Sequence, residues 1–180
     1  LERHSQLCDD ILVIDKLPLN ILQAPLINRI FPGARYILCL RHPLDCVLSS
    51  WMQNFELNPA MANMVDLDRA VEFYCVAVEI FELSRKRYQL NTHEIRYEDL
   101  IEDFETEASN LLSFLGLDWE PELHNFQMTA KSREAIRTPS HSQVIKPLYR
   151  NASFRWKHYE DYLDKYIPQL APWIKKYGYS

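Results

Sequence analysis

Glycine is scarce in this chain: three among 180 residues, at Gly33, Gly116 and Gly178. A loop that cradles phosphate through successive backbone N–H groups needs several glycines close together, so no such loop fits within the sequence. No apolar run approaches the ~20 residues that cross a bilayer, so no membrane segment is expected. The opening stretch, LERHSQLCDD, lacks the architecture of a signal peptide, and a cytoplasmic setting is the expectation. The four cysteines, Cys8, Cys39, Cys46 and Cys75, form no Cys-x-x-Cys pair, and with the six histidines they form no metal-ligand spacing. No metal is expected, and the cysteines read as packing thiols of a reducing compartment, Cys39 in a buried strand and Cys75 on a core helix face. A net charge of −5 argues against a nucleic-acid binder as a whole, without forbidding a local basic site.

What is present has the length and apolar content of one domain over residues 1–180. Ile11 to Ile14, ILVI, is continuously apolar and reads as a buried strand. Leu19 to Phe31 has helical spacing, with Pro25 expected to kink it or end it early. Arg35 to Leu40, RYILCL, reads as a second strand, and strand–helix–strand over so short a span implies a parallel crossover. A helix follows from Pro43 to about Leu57, and Asn58 and Pro59 break it. Another runs from Asp66, placed to cap it, to Arg87. Thr92 to Tyr97 alternates as a third strand, followed by a helix stopped by Gly116. The last thirty residues read as two aromatic-rich helices broken by Pro168 and Pro172. The fold class is α/β, with a small parallel sheet of three strands flanked by helices.

In open α/β sheets, ligands bind beyond the carboxyl ends of the strands. Three such ends carry Lys16, Arg41 and Tyr97. A guanidinium grips phosphate bidentately, an ammonium supplies a point charge, and a ring stacks on a base. Together they describe a site for an anionic, planar ligand. The Pro43 helix is expected to add free N–H groups and its dipole beside Arg41. Ser49 lies ~9 Å along that helix and reaches the same ligand only if the ligand lies alongside it. Each residue also has a bland reading: Arg41 paired with Asp45 one turn on, Lys16 a surface lysine, Tyr97 a core ring.

Three segments, DKLPLNILQAPLINRIFPGARYILCLRHPLDCVLSSW, IRYEDL and QVIKPLYRNASFRWKHYEDYL, resemble the sulfotransferases that use 3′-phosphoadenosine 5′-phosphosulfate (PAPS). The likeness is nearest to the bacterial type associated with tetratricopeptide repeats and more distant to tyrosylprotein sulfotransferases. It implies a P-loop-NTPase-like three-layer fold and transfer of a sulfuryl group from PAPS to a hydroxyl or amine. The acceptor would be a small molecule, a glycan or a protein tyrosine. By the same resemblance, Arg41 and Ser49 would hold the 3′-phosphate, Arg150 would grip it a second time, and Tyr97 would contact the adenine. Lys16 falls where such enzymes face the transferring sulfuryl group. Ser153 lies close to, not at, a serine position of the family, and Phe154 stands where relatives often have glycine or serine. Residues Thr129 to Lys146, with His141, are expected to cover the acceptor side.

The family's loop around the 5′-phosphosulfate has no counterpart here, and the general base of the tyrosylprotein type lies near it. The expectation is therefore a C-terminal portion of a longer enzyme that lacks its first βα unit. Two other readings stay open: a non-catalytic nucleotide-binding or interaction module, and a kinase of P-loop type, which would need a magnesium carboxylate and a Gly-Lys-Ser/Thr element.

Overall fold

The computed structural model describes residues 11–53, 58, 60–125 and 153–179. Helix α1 (Asn20–Ile30) leads into strand β1 (Arg35–Leu40) and helix α2 (Pro43–Trp51). After a 3₁₀ turn, helix α3 (Leu67–Tyr88) returns to strand β2 (Asn91–Arg96). Helices α4 (Tyr97–Glu102) and α5 (Phe104–Leu115) follow, and the C-terminal segment adds the short α6 (Glu160–Leu163) and α7 (Ile167–Lys176).

β1 and β2 pair in parallel, with Arg35 opposite Asn91 and Leu40 opposite Arg96. A parallel pair needs a long crossover, and α2 with α3 supplies it. Side chains alternate across the sheet. Leu38 and Leu40 turn toward Ala24 of α1, Val78 and Phe81 of α3, and Tyr177 and Tyr179 near the C-terminus. The opposite face meets α5, where Phe114 stacks on His93 and the Leu115 carbonyl accepts from Arg35. A second cluster joins Leu44, Val47 and Leu48 of α2 to Val71 of α3 and Leu163, Tyr166 and Leu170.

The caps explain where the helices begin and stop. Asp66 accepts from the backbone N–H groups of Asp68 and Arg69 at the start of α3. Gly116 closes α5 at φ +70°, a left-handed conformation that glycine adopts without steric cost.

Several expectations need correction. Ile11 to Ile14 form no strand: all four are exposed, and among the described residues the sheet has two strands, β1 and β2. An apolar run reports a tendency to be buried; it becomes a strand only where a neighbour offers its ladder. Cys39, expected in a buried strand, lies on the face opposite Leu38 and Leu40 and is exposed there. Pro25 sits inside α1 without ending it, Pro168 falls in the first turn of α7, and Pro172 lies within that helix. A first-turn proline forfeits only an N–H that has no helical partner. Tyr97 opens α4 instead of closing a strand, and the long helix after it is two, split where Asp103 caps α5 by accepting from Thr106 N–H. The Pro43 helix, expected to reach about Leu57, ends at Trp51, where Met52 caps it and turns the chain. Residues Thr129 to Tyr149, with His141, lie outside the described residues.

Candidate functional site

Arg41 and Tyr97 each follow a strand directly, and the register sets Leu40 opposite Arg96. Adjacent parallel strands therefore deliver both side chains to one edge. The Arg41 guanidinium carbon lies 5.6 Å from the centre of the Tyr97 ring, a cation–π distance. The two expected neighbours are brought together.

Arg41 also has the bland partner foreseen for it. Its Nη2 lies 3.7 Å from Oδ1 of Asp45, one turn into α2. The Asp45 side chain is fully buried, while one-fifth of the Arg41 side chain stays exposed. The Arg41 side chain is thus backed by a buried carboxylate and stays partly exposed. A carboxylate behind Arg41 can orient the guanidinium toward an anion.

Not all of the free N–H groups expected at the start of α2 are available. Pro43 has none, Leu44 N–H donates to Nδ1 of His42 at 3.3 Å, and Cys46 N–H donates to the His42 carbonyl. His42, Pro43, Leu44 and Asp45 are all buried. Ser49 is half-buried in α2.

Around Arg41, residues that the sequence pattern did not single out make a connected cluster. His42 N–H donates to Oε1 of Glu98 at 3.2 Å, and Tyr179 Oη donates to Oε2 of the same carboxylate at 2.9 Å. The His42 ring stacks on Trp156 at 5.0 Å and meets Phe154 and Tyr179 edge-on. Burial lowers the pKa of His42 to about 4; Glu98 opposes, and Lys157 and Arg41 add to the lowering. The ring is neutral at pH 7, which suits its role as acceptor and cap. Asp45 Oδ1 accepts from Trp156 N–H at 2.8 Å, joining residues 111 apart in the chain. Burial raises the Asp45 pKa, and Trp156 N–H, Arg41 and Phe154 N–H oppose it. The available signals were slight: an acid four residues after Arg41, another beside Tyr97, and a histidine where a capping residue belongs.

The other expected residues are more scattered. Ser153 heads the turn that Asp45 holds, and its Oγ is buried with no hydrogen-bond partner among the described residues. Lys16 is exposed in the extended segment ahead of α1, so the strand tip expected to carry it is not formed. Arg150 lies outside the described residues. No group of His, Cys, Asp or Glu suited to a metal occurs among the described residues, and no described helix is long and apolar enough to cross a membrane. An open hollow of about 340 Å³ lies between β2 and α4–α5, lined by Ile95, Leu100, Phe104, Leu111, Leu112 and Leu123. Its purely apolar lining does not suit a phosphate.

The chain is similar to several known proteins. An uncharacterized protein from Aquifex aeolicus is 32% identical over 165 residues, 91% of this chain and 21% of its own length. Protein-tyrosine sulfotransferase A of Caenorhabditis elegans is 24% identical over 188 residues, 99% of this chain and 46% of its own length. Cytosolic sulfotransferase 15 of Arabidopsis thaliana is 33% identical over 101 residues, 51% of this chain and 28% of its own length. The chain thus spans less than half the length of these relatives. The model of a family described as the sulfotransferase family matches residues 2–121, which include Arg41, Asp45, Ser49 and Tyr97. This chain belongs to the sulfotransferase family.

Proposed function

We propose that the protein to which this chain belongs transfers a sulfuryl group from PAPS to a hydroxyl or amine acceptor. The carrying observation is the placing of Arg41 and Tyr97, side by side at the carboxyl edge of two parallel strands. A partly exposed arginine suits a phosphate, and a ring beside it suits a purine. Arg41 grips the 3′-phosphate, Ser49 and Ser153 add hydroxyl donors, Arg150 adds a second guanidinium, and Tyr97 takes the adenine. Lys16 serves the sulfuryl end, where an ammonium near the bridging oxygen steadies charge as the bond to the leaving phosphate breaks. The fold is of P-loop type.

Sulfuryl transfer resembles phosphoryl transfer in needing chiefly alignment and charge stabilisation. Binding energy from the remote 3′-phosphate is spent on orientation at sulfur. The acceptor is a hydroxyl or amine compound, and a protein tyrosine is the specific candidate, because relatives named protein-tyrosine sulfotransferases align over most of this chain.

The test uses PAPS carrying labelled sulfate, the intact protein, and a panel of phenols, amines, glycans and tyrosine peptides. Label should appear on one acceptor class without added magnesium, and Arg41→Ala and Lys16→Ala should each cut the rate at least tenfold. Nucleotide binding with no turnover on any acceptor would favour a non-catalytic module. Magnesium-dependent transfer from labelled ATP would instead mark a kinase.

A further inference from the structure

Asp45 does more than neutralise Arg41. One of its oxygens meets two demands, the Trp156 N–H at 2.8 Å and the Arg41 guanidinium at 3.7 Å. The turn it holds is conformationally costly. Phe154 adopts φ +54°, ψ 28°, a left-handed conformation in which bulky side chains are strained. Such strain persists only where the surroundings over-determine it. Here the surroundings are the Asp45–Trp156 hydrogen bond, the His42–Trp156 stack and the edge contact of His42 with Phe154. Ser153 directly precedes the strained residue, and its buried hydroxyl lacks a partner among the described residues. The turn of residues 153–156 is therefore pinned to the residue that backs Arg41.

We propose that Asp45 is a positioning residue whose carboxylate latches the 153–156 turn to the start of α2, so that Ser153 and Arg41 address one phosphate of the ligand. This rests on the nucleotide reading given above. Asp45 itself touches no ligand; it fixes the relative placing of two arms that come from sequence positions 112 apart. The guanidinium arm comes from a strand end and the hydroxyl arm from the C-terminal segment, and the buried carboxylate is where they meet.

The test compares affinities for adenosine 3′,5′-bisphosphate and adenosine 5′-monophosphate, which differ only in the 3′-phosphate, by calorimetry on the intact protein. Amide exchange across residues 154–159, read by mass spectrometry, reports the latch separately. Asp45→Ala removes the acceptor, and Asp45→Ser withdraws it should the alanine variant not fold. Either should speed exchange in 154–159 and lower the preference for the 3′-phosphate at least tenfold, with affinity for the monophosphate unchanged. Asp45→Asn keeps an oxygen that can accept from Trp156 N–H, so it should rescue both slow exchange and the preference to within about threefold of wild type. A general loss of stability would weaken both nucleotides alike. The proposal is overturned if exchange speeds up while the preference persists, or if Asp45→Asn loses the preference with exchange still slow. A wild-type protein with no preference for the 3′-phosphate would overturn the nucleotide reading itself, whatever the exchange data show.

Discussion

At the scale of single residues, a neutral histidine holds the site edge together. His42 caps α2, stacks on Trp156 and donates its backbone N–H to Glu98. Burial lowers its pKa from 6.5 to about 4. Between those values the unfolded chain takes up a proton that the folded one refuses. The stabilisation is fully present above pH 6.5 and is lost as pH falls toward 4, by at most about 3 kcal/mol. Asp45, raised by burial, works in the opposite direction and offsets part of the loss. Urea midpoints at pH 7 and pH 5 should therefore fall on acidification in the wild type. His42→Asn keeps a capping side chain without titrating, and its midpoint should fall less. Parallel behaviour of the two proteins would mean that His42 does not titrate as described. Of this cluster the sequence displayed Arg41 and Tyr97, because each directly follows a strand. Trp156 stood in the family-like segment without a role, and its contacts with Asp45 and His42 span more than a hundred residues, a separation that no local pattern encodes.

At the scale of elements, local chemistry was the more readable part. Asp66 and Gly116 marked a helix start and a helix stop, and both serve as such. Asp66→Ala should lower stability by ~0.5–2 kcal/mol, since two N–H groups lose their acceptor. A thermal melt suffices to check it. Tertiary choices were hidden. Pro168 and Pro172 read as breaks, and Pro25 as a kink or an early end, because a proline forfeits one hydrogen bond; α1 and α7 nonetheless continue through theirs. Leu170, fully buried against α2 and α3, shows what holds α7 in place. Leu170→Ala should cost ~2–5 kcal/mol, the range for a buried leucine whose cavity only partly collapses. A loss well under 1 kcal/mol in chemical denaturation would show that α7 is not fixed by this contact. The apolar run at Ile11 to Ile14 failed as a strand for the converse reason: hydrophobicity states what avoids water, and pairing depends on what lies alongside.

At the scale of the whole molecule, the C-terminal segment closes the structure over the strand ends. Tyr177 and Tyr179 enter the sheet core, and Tyr166 and Lys165 reach Asp68 at the start of α3. Glu82 of α3 receives both Tyr177 Oη and Lys176. The family match ends at residue 121, yet the groups that cover His42 and Asp45 come from 153–179. The site is thus a property of the folded chain more than of any one motif. Binding of adenosine 3′,5′-bisphosphate to the intact protein and to its Arg41→Ala variant, titrated side by side in a calorimeter, addresses that site most directly. The expected result is saturable binding by the wild type and a loss in the variant of ~1.5–3 kcal/mol, roughly 10- to 150-fold, the worth of a charge-assisted hydrogen bond. Equal affinities in the two proteins would contradict the assignment of the strand-end arginine to the nucleotide.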